Sequence, residues 1–361
     1  MNRRVPRVVC IFGWKSHRWF ARAARHGIFH FHMPNKQTAL SMIVRLGLAL
    51  LGLGLSSDPS HAQRYPDRPI RIIVPFTAGS PNDVIARVVS PYLSTRLRQP
   101  VIVENRPGGG TSIGAKAVMA AEPDGYTLLF SNSPTHLIAP LANPSLAYDP
   151  IKDFVPVAAV GTSAMLLVIA PSVPARSVQE FIAYAKSNPG KLNSGFGQGT
   201  LPQLVGELFK LETGTDFASI PYRGGAQAVT DLMGGRIQIN IGTPSTLIPL
   251  VRRGQLRALA ITGAQRSPDL PEVPTMIESG LPGVTAVNYY GILGPAGMSQ
   301  DAINRLNNVV NESLKSPELK ASMAKIGFEP MGGSPGNFAK LFASELQKWA
   351  PIVRATGFQM D

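Results

Sequence analysis

The chain has 361 residues, with 35 Lys and Arg, 22 Asp and Glu, six histidines and one cysteine, Cys10. Nine of the basic residues, one acidic residue and five histidines lie in the first 62 residues, so the remainder has a net charge of +5 and keeps only His136. This composition argues against nucleic acid as a partner, and it argues against zinc sites, thiol catalysis and disulfides in residues 63–361.

The first 62 residues predict an export leader. Lys36 and Arg45 supply positive charge, residues 46–55 are an apolar run, and Ser60-His61-Ala62 is a small-x-small cleavage pattern. The run is too short for a membrane span, which needs about 20 residues. We expect a signal peptide from Met33 with cleavage after Ala62, residues 1–32 being an over-extended start. The alternative is a genuine long region before the signal.

The next segment predicts a strand, a tight loop and a helix. Ile70, Ile72, Ile73 and Val74 form a short β-branched run typical of a buried parallel strand. Thr77-Ala78-Gly79-Ser80-Pro81-Asn82 is a small polar turn, and the apolar spacing from Asp83 predicts a helix to Leu97. Unpaired amides and the helix dipole would make this turn an anion site. The alternative is an ordinary connection in which Ser80 or Asn82 caps the helix.

Further along, the alternation of strands and helices predicts a parallel sheet with crossover helices. Strands are expected at 100–104, 126–130, 155–160, 165–169, 237–241, 257–262 and 286–293, and helices at 112–121, 177–187, 202–212, 226–233, 300–315, 317–325 and 334–355. Small polar loops follow strands at 77–82, 131–135, 193–200, 220–225 and 242–245. Since ligands bind at the carboxyl ends of such strands, these five loops predict one cleft between two α/β lobes.

One motif raises the possibility of an enzyme. Gly110-Thr111-Ser112-Ile113-Gly114 matches the G-x-S-x-G pattern of serine hydrolases, and Asp124 and His136 follow in hydrolase order. The nucleophile of that motif sits directly at a strand end, whereas Pro107 and three glycines separate Ser112 from the preceding strand. We therefore expect no enzyme, and a secreted hydrolase using Ser112 and His136 is the alternative function.

The sequence resembles a known receptor family over nearly the whole chain after the leader. The segments that carry the resemblance are YPDRPIRIIVPFTAGSPND at 65–83, VIVENRPGGGTSIGAKAV at 101–118, EPDGYTLL at 122–129, YDPIKDFVPVAAV at 148–160, PYRGGAQAVTDLMGGRIQI at 221–239, GQLRALAITGAQRSPDLPEVPTMIESGLPG at 254–283 and YGILGPAGM at 290–298. They resemble the Bug (TctC-like) solute-binding receptors of tripartite tricarboxylate transporters.

The resemblance implies an α/β fold, the two-lobed periplasmic binding protein (type II, Venus flytrap) with a ligand cleft between the lobes. It also implies a periplasmic, monomeric receptor without cofactor, metal or catalysis, which captures a small carboxylate and delivers it to membrane permease subunits. A ligand sensor for a signalling partner is an alternative within the same family. We expect lobe one at 64–162 and 286–361, and lobe two at 163–285.

Site residues follow from the resemblance by position. The ligand-binding residues it implies are Phe76, Thr77, Ala78, Gly79, Ser80, Asp83, Ser131, Asn132, Ser133, Thr135, Gly197, Thr200, Arg223, Gly224 and Thr243. Two positions depart from the family pattern, because Ser80 replaces a glycine and Gly242 replaces an aspartate. The loss of that carboxylate removes a partner for a ligand amine, which lowers the expectation of an amino-acid ligand.

Overall fold

The computed structural model describes residues 65–143, 145–146, 148–197, 199–222 and 225–359. The predicted leader lies outside the described residues, so the structure does not bear on it. The described part contains two sheets, each covered by helices.

The first sheet contains the strands from both ends of the described chain. They are β1 (Ile70–Val74), β2 (Val101–Asn105), β3 (Thr127–Asn132), β4 (Phe154–Ala164), β10 (Val287–Pro295) and β11 (Glu329–Pro330). Their order is β11-β4-β10-β3-β1-β2, in which β1 pairs in parallel with β2 and β3 while β10 is antiparallel to β3 and β4. All six residues of β3 are buried, as expected for a central strand covered on both faces.

The helices of the first sheet come from both chain segments. They are α1 (Pro81–Leu97), α2 (Ser112–Met119), α3 (Ala139–Ala142) after a π-helical turn at Pro134–Ile138, α8 (Gln300–Leu314), α9 (Pro317–Lys325) and α10 (Pro335–Thr356). The buried residues of α1 recur at helical spacing, for example Ala86, Val89, Leu93 and Leu97, so one face of this helix packs on the core.

The second sheet is formed by the middle of the chain. Its strands are β5 (Leu166–Ile169), β6 (Asn193–Gly197), β7 (Ala218–Tyr222), β8 (Ile239–Gly242) and β9 (Arg257–Ile261), and its helices are α4 (Val178–Ser187), α5 (Leu201–Thr213), α6 (Gly225–Met233) and α7 (Pro244–Arg252). The strand order is β7-β6-β8-β5-β9, with β6 parallel to β7 and β8. The predicted two-lobed α/β architecture is confirmed.

Several sequence-based expectations about strands are wrong. The loop predicted at 193–200 is a strand over its first five residues, which form β6. The predicted break at 161–163 is absent because Gly161, Thr162 and Ser163 stay paired with β10, so β4 continues to Ala164. Residues 218–222 form β7 although part of this segment was predicted as a loop. Pro221 is tolerated there because β7 lies at the edge of its sheet. On the outer side of an edge strand no neighbouring strand needs a hydrogen bond from the N–H that proline lacks.

The chain passes between the two sheets beside one buried threonine. Thr262 follows β9, and its hydroxyl accepts a hydrogen bond from the Met165 amide (2.8 Å) and donates one to the Ala286 carbonyl (2.6 Å). The Thr262 backbone also bonds both residues. Its N–H donates to the Met165 carbonyl, and its carbonyl accepts from the Ala286 N–H. Met165 joins β4 to β5 and Ala286 precedes β10, so Thr262 connects both crossings.

We expect Thr262→Val to lower the free energy of unfolding by about 2–4 kcal/mol, because it leaves a buried N–H and a buried carbonyl without partners. The midpoint of thermal unfolding should fall by about 5 °C or more. The control is Thr230→Val on α6, where the exposed hydroxyl only bonds the Ala226 carbonyl in its own helix, and a change within about 0.5 kcal/mol is expected. Equal effects of the two substitutions in a denaturant titration would contradict the role given to Thr262.

Candidate functional site

The carboxyl ends of the parallel strands in both sheets lie at the crossing. Asn132, which ends β3, pairs with Tyr290 near the start of β10, the strand that follows the second crossing. In the other sheet, Gly242 at the end of β8 pairs with Leu166, the first residue after the first crossing. The strand-to-helix loops of the two sheets therefore approach each other from opposite sides of the crossing, which is where open α/β sheets bind ligands.

The loop after β1 presents backbone amides to its exterior. Thr77, Ala78 and Gly79 are exposed, and Gly79 has a φ of +80°, a conformation that favours glycine. Ser80 caps α1 by accepting a hydrogen bond from the Asp83 amide (3.4 Å), so the capping alternative holds for Ser80. Among the described residues, the backbone amides of Thr77, Ala78 and Asn82 have no hydrogen-bond partner. These N–H groups and the amino terminus of α1 favour an anion.

Asp83 stabilises this loop from inside. Its Oδ2 accepts the Gly79 amide (2.9 Å), and its Oδ1 accepts Arg87 Nε (2.8 Å) and Asn105 Nδ2 (2.9 Å). Asn105 Nδ2 also reaches the Phe76 carbonyl (3.1 Å). Burial acts to raise the pKa of Asp83, but the hydrogen bonds from Gly79, Asn105 and Arg87 outweigh it and hold the pKa below its ordinary value. The carboxylate thus positions the loop, with both of its oxygens already hydrogen-bonded.

The predicted loop at 131–135 is buried and largely engaged with its neighbours. Its first two residues belong to β3 instead of a loop. Asn132 Oδ1 accepts both the amide (3.2 Å) and the hydroxyl (3.1 Å) of Thr135. The Ser133 amide donates to Asn288 Oδ1 (3.1 Å), and its hydroxyl accepts the Tyr289 amide (2.9 Å). These contacts join the end of β3 to the start of β10 beside the crossing.

In the second sheet, three of the candidate residues share one edge. Gly197 ends β6, and Thr200 donates its hydroxyl to the Gly197 carbonyl (2.6 Å) just before α5. Thr243 follows β8 and begins α7, and its hydroxyl makes no hydrogen bond with a described residue. Arg223 and Gly224 lie outside the described residues. Because β6, β7 and β8 are parallel neighbours, their carboxyl ends lie side by side.

The geometry does not assemble the hydrolase pair. His136 Nδ1 is hydrogen-bonded to Ser131 Oγ (2.9 Å), and no hydrogen bond joins His136 to Ser112. His136 is 1% exposed, and burial lowers its pKa to about 3. A general base operates best with a pKa near the working pH, so this imidazole is poorly suited to activating a serine.

Two other site classes find no support in the part of the chain that the structure describes. That part contains no group of three or more His, Cys, Asp or Glu residues that could hold a metal ion. No described helix is both long enough and apolar enough to cross a membrane.

Sequence reasoning missed Asn105 as the residue that ties Asp83 to the Phe76 carbonyl. Asn105 stands at the end of β2, and the only available signal was its polarity at a strand terminus beside the loop of a neighbouring parallel strand. It also gave Asn82 only a capping role, although both polar atoms of its buried side chain lack partners among the described residues.

Comparisons with known proteins agree on one family. A family model described as "Tripartite tricarboxylate transporter family receptor" matches residues 85–358. The protein BugT of Bordetella pertussis is 38% identical over 325 residues, which cover 90% of this chain and 99% of BugT.

Solved structures agree as well. A periplasmic transporter structure is 37% identical with a TM-score of 0.75, covering 82% of this chain and 100% of its own. An R. palustris protein solved with adipate is 32% identical with a TM-score of 0.75 over the same shares. The MatC protein of Rhodopseudomonas palustris, solved with bound malate, is 29% identical with a TM-score of 0.71, covering 80% of this chain and 100% of MatC.

The Asp83 network generates a prediction about pH. A carboxyl group with a depressed native pKa contributes stability above its unfolded pKa of about 3.9, and this contribution is lost as the pH falls through the native pKa. We therefore expect Asp83→Asn to lower the free energy of unfolding by about 2 kcal/mol at pH 7. The difference from wild type should narrow below about pH 4.

The measurement is urea unfolding of both proteins between pH 3 and pH 7. Asp301→Asn, in the exposed first turn of α8, is the matched control and should cost less than about 1 kcal/mol. A loss for Asp83→Asn that is as large at pH 3 as at pH 7 would show that the carboxylate charge is not the source of the effect.

Proposed function

The chain belongs to the family of tripartite tricarboxylate transporter receptors, and we propose that it is a periplasmic receptor that captures a small carboxylate and delivers it to the membrane permease subunits of such a transporter. The adipate and malate bound by two structural relatives support a carboxylate as the ligand class. A receptor needs no catalytic group, and the engagement of His136 with Ser131 weighs against the hydrolase alternative.

The observation that carries the proposal is the set of unpaired amides at the start of α1, at the edge where the loops of both sheets converge. A ligand carboxylate would be held by the loop from Phe76 to Ser80. Asp83 keeps that loop in shape by accepting a hydrogen bond from the Gly79 amide. The remaining proposed ligand-binding residues are Ser131, Asn132, Ser133 and Thr135 from the first sheet, and Gly197, Thr200, Arg223, Gly224 and Thr243 from the second.

The energetics of such a site are sufficient without a salt bridge. A helix amino terminus contributes up to about 2 kcal/mol to a partly buried anion. Each hydrogen bond to a charged oxygen adds about 1.5–3 kcal/mol before the costs of closing the cleft are subtracted. A micromolar dissociation constant requires about 8 kcal/mol. Three or four amide contacts with the helix terminus therefore reach the affinity expected of a receptor.

The proposed lobes follow the two sheets. We propose lobe one at 64–162 and 286–361 and lobe two at 163–285, because the chain leaves the first sheet after β4 and returns to it with β10. Ser163 and Ala164 are the exception, since these last two residues of β4 still pair with β10 in the first sheet. Both chain segments that pass between the sheets are hydrogen-bonded to Thr262. A hinge at these two segments would allow the lobes to close over a ligand. We also propose a monomer, since one lobe pair completes the site.

A receptor that informs a signalling partner would bind the same ligand at the same loops. The two roles differ in what the closed form contacts, and they are separated by whether loss of the receptor abolishes uptake of the ligand or only the response to it.

We expect a thermal-shift screen of mono-, di- and tricarboxylates to identify a ligand. At about 100 times its dissociation constant it should stabilise the protein by about 2.7 kcal/mol, a shift of about 5 °C or more. Gly79→Val should abolish the shift. Apart from its chain neighbours, no described atom lies within 4 Å of a Cβ added at Gly79, so we expect the valine to occupy open space beside the amides of the proposed carboxylate site.

The control for this screen is Gly190→Val. Gly190 also has a positive φ and free space around it, but it precedes β6 at the opposite end of the second sheet. Both variants place a valine at a positive φ, +80° at Gly79 and +69° at Gly190, so each carries backbone strain and the ligand response should distinguish them. A shift that survives in Gly79→Val, or that disappears with a chelator in wild type, would rule out the proposed site.

We further propose that residues 1–62 are removed on export. Amino-terminal sequencing of the protein recovered from the periplasm should begin at Gln63. The alanine at the cleavage point offers a direct control, because Ala62→Arg should slow processing and accumulate a longer form. A mature protein that begins before Met33 would contradict this proposal.

A further inference from the structure

Asn82 combines deep burial with the absence of any partner for its side chain. The residue is 2% exposed, and neither Nδ2 nor Oδ1 of its amide makes a hydrogen bond with a described residue. Burying an amide without partners costs folding free energy, and most buried polar groups in proteins are paired. An unpaired amide in a native structure therefore calls for a functional explanation.

Asn82 lies at the start of α1, next to the loop that would hold the carboxylate. It is the second residue of α1, directly after Ser80 and Pro81. It is also the first residue of the buried helix face that continues through Ala86 and Val89. The Cα–Cβ bonds of a helix tilt toward its amino terminus, so this side chain leans to the loop at 77–80. The backbone amide of the same residue is one of the unpaired N–H groups of that loop. A carboxylate bonded to that N–H lies within reach of the side-chain amide.

The chemistry of the amide selects among carboxylates. Nδ2 can only donate, which suits a carboxylate oxygen, whereas Oδ1 can only accept and needs an O–H or N–H group. Asp83 has little capacity left to accept from a ligand O–H, because Gly79, Arg87 and Asn105 already fill three of the about four acceptor positions of its carboxylate. A ligand that satisfies both atoms of Asn82 therefore carries an O–H or N–H group next to its carboxylate. Of these two, the hydroxyl is favoured because glycine at position 242 offers no carboxylate to pair with an ammonium group.

We propose that Asn82 is a specificity-determining residue that selects 2-hydroxycarboxylates over the same acids without the hydroxyl group, an inference that rests on the proposed receptor function. Nδ2 donates to the carboxylate and Oδ1 accepts from the hydroxyl. The acid that lacks the hydroxyl leaves Oδ1 unpaired in a closed site, and sites built around such a bond discriminate strongly against the analogue.

The experiment measures dissociation constants by calorimetry for three pairs of acids that differ by one hydroxyl: lactate and propionate, malate and succinate, citrate and tricarballylate. The full exported protein, freed of co-purified ligand by dialysis, is used. For the pair that fits the cleft, wild type should bind the hydroxylated acid at least about tenfold more tightly. Asn82→Leu, similar in volume but apolar, should reduce this ratio to less than about threefold.

Two further variants make the result specific. Asn82→Ala removes the amide without adding branched bulk and should give the same reduced ratio, also if Asn82→Leu fails to fold. Ser90→Ala, two turns further along the same helix and also buried, should keep the wild-type ratio. The unliganded Asn82→Leu protein should melt at a higher temperature than wild type, because it no longer buries an unpaired amide.

The outcomes separate this inference from the proposed function. If wild type binds at least one acid but shows no preference for the hydroxylated member, or if both Asn82 variants keep the preference, Asn82 does not determine specificity while the receptor function stands. If wild type binds none of the six acids, the carboxylate receptor function is itself contradicted for this panel, and the role of Asn82 is lost with it.

Discussion

The arrangement of the two sheets depends on the hydrogen bonds of Thr262. A single buried hydroxyl accepts from Met165 and donates to Ala286, and so fixes the two places where the chain passes between the sheets. A hydroxyl is suited to this position because it is donor and acceptor at once. The parallel strands of each sheet run toward these crossings, so the crossings determine which loops can face each other.

The loops at this edge are rich in polar groups, yet most of those groups are engaged with the protein. Asp83 is bonded to Gly79, Arg87 and Asn105, and the buried side chains near the end of β3 bond one another or the start of β10. In the described part of the chain, the backbone N–H groups of Thr77, Ala78 and Asn82 are therefore among the free donors at the first loop. A surface of this kind has a rigid shape and attracts anions without a fixed positive side chain.

The sequence was sufficient where local pattern and environment agree. Ile70, Ile72, Ile73 and Val74 are apolar because β1 lies inside its sheet, and the run from Asp83 to Leu97 is helical because its apolar spacing matches the buried face. The sequence was insufficient where strand pairing is non-local. Pro221 made the edge strand β7 look like a loop. Gly161, Thr162 and Ser163 have the composition of a turn, although they pair with β10. The roles of Thr262, Asn105 and Asn82 depend on the presence or absence of distant partners, which no periodicity encodes.

The departure at Gly242 has a physical counterpart in Asn240. A Cβ at position 242 would lie 2.7 Å from Asn240 Oδ1, so any side chain there requires that amide to move. Asn240 is itself held in place, because it is buried and its Nδ2 donates to the Gly195 carbonyl (2.5 Å) on the adjacent strand. Glycine at 242 and asparagine at 240 therefore form one compatible pair. The resemblance implies an aspartate at position 242 in the family, whereas this chain has glycine there beside the neutral amide of Asn240. The position therefore carries no negative charge that would pair with an ammonium group or repel a second carboxylate.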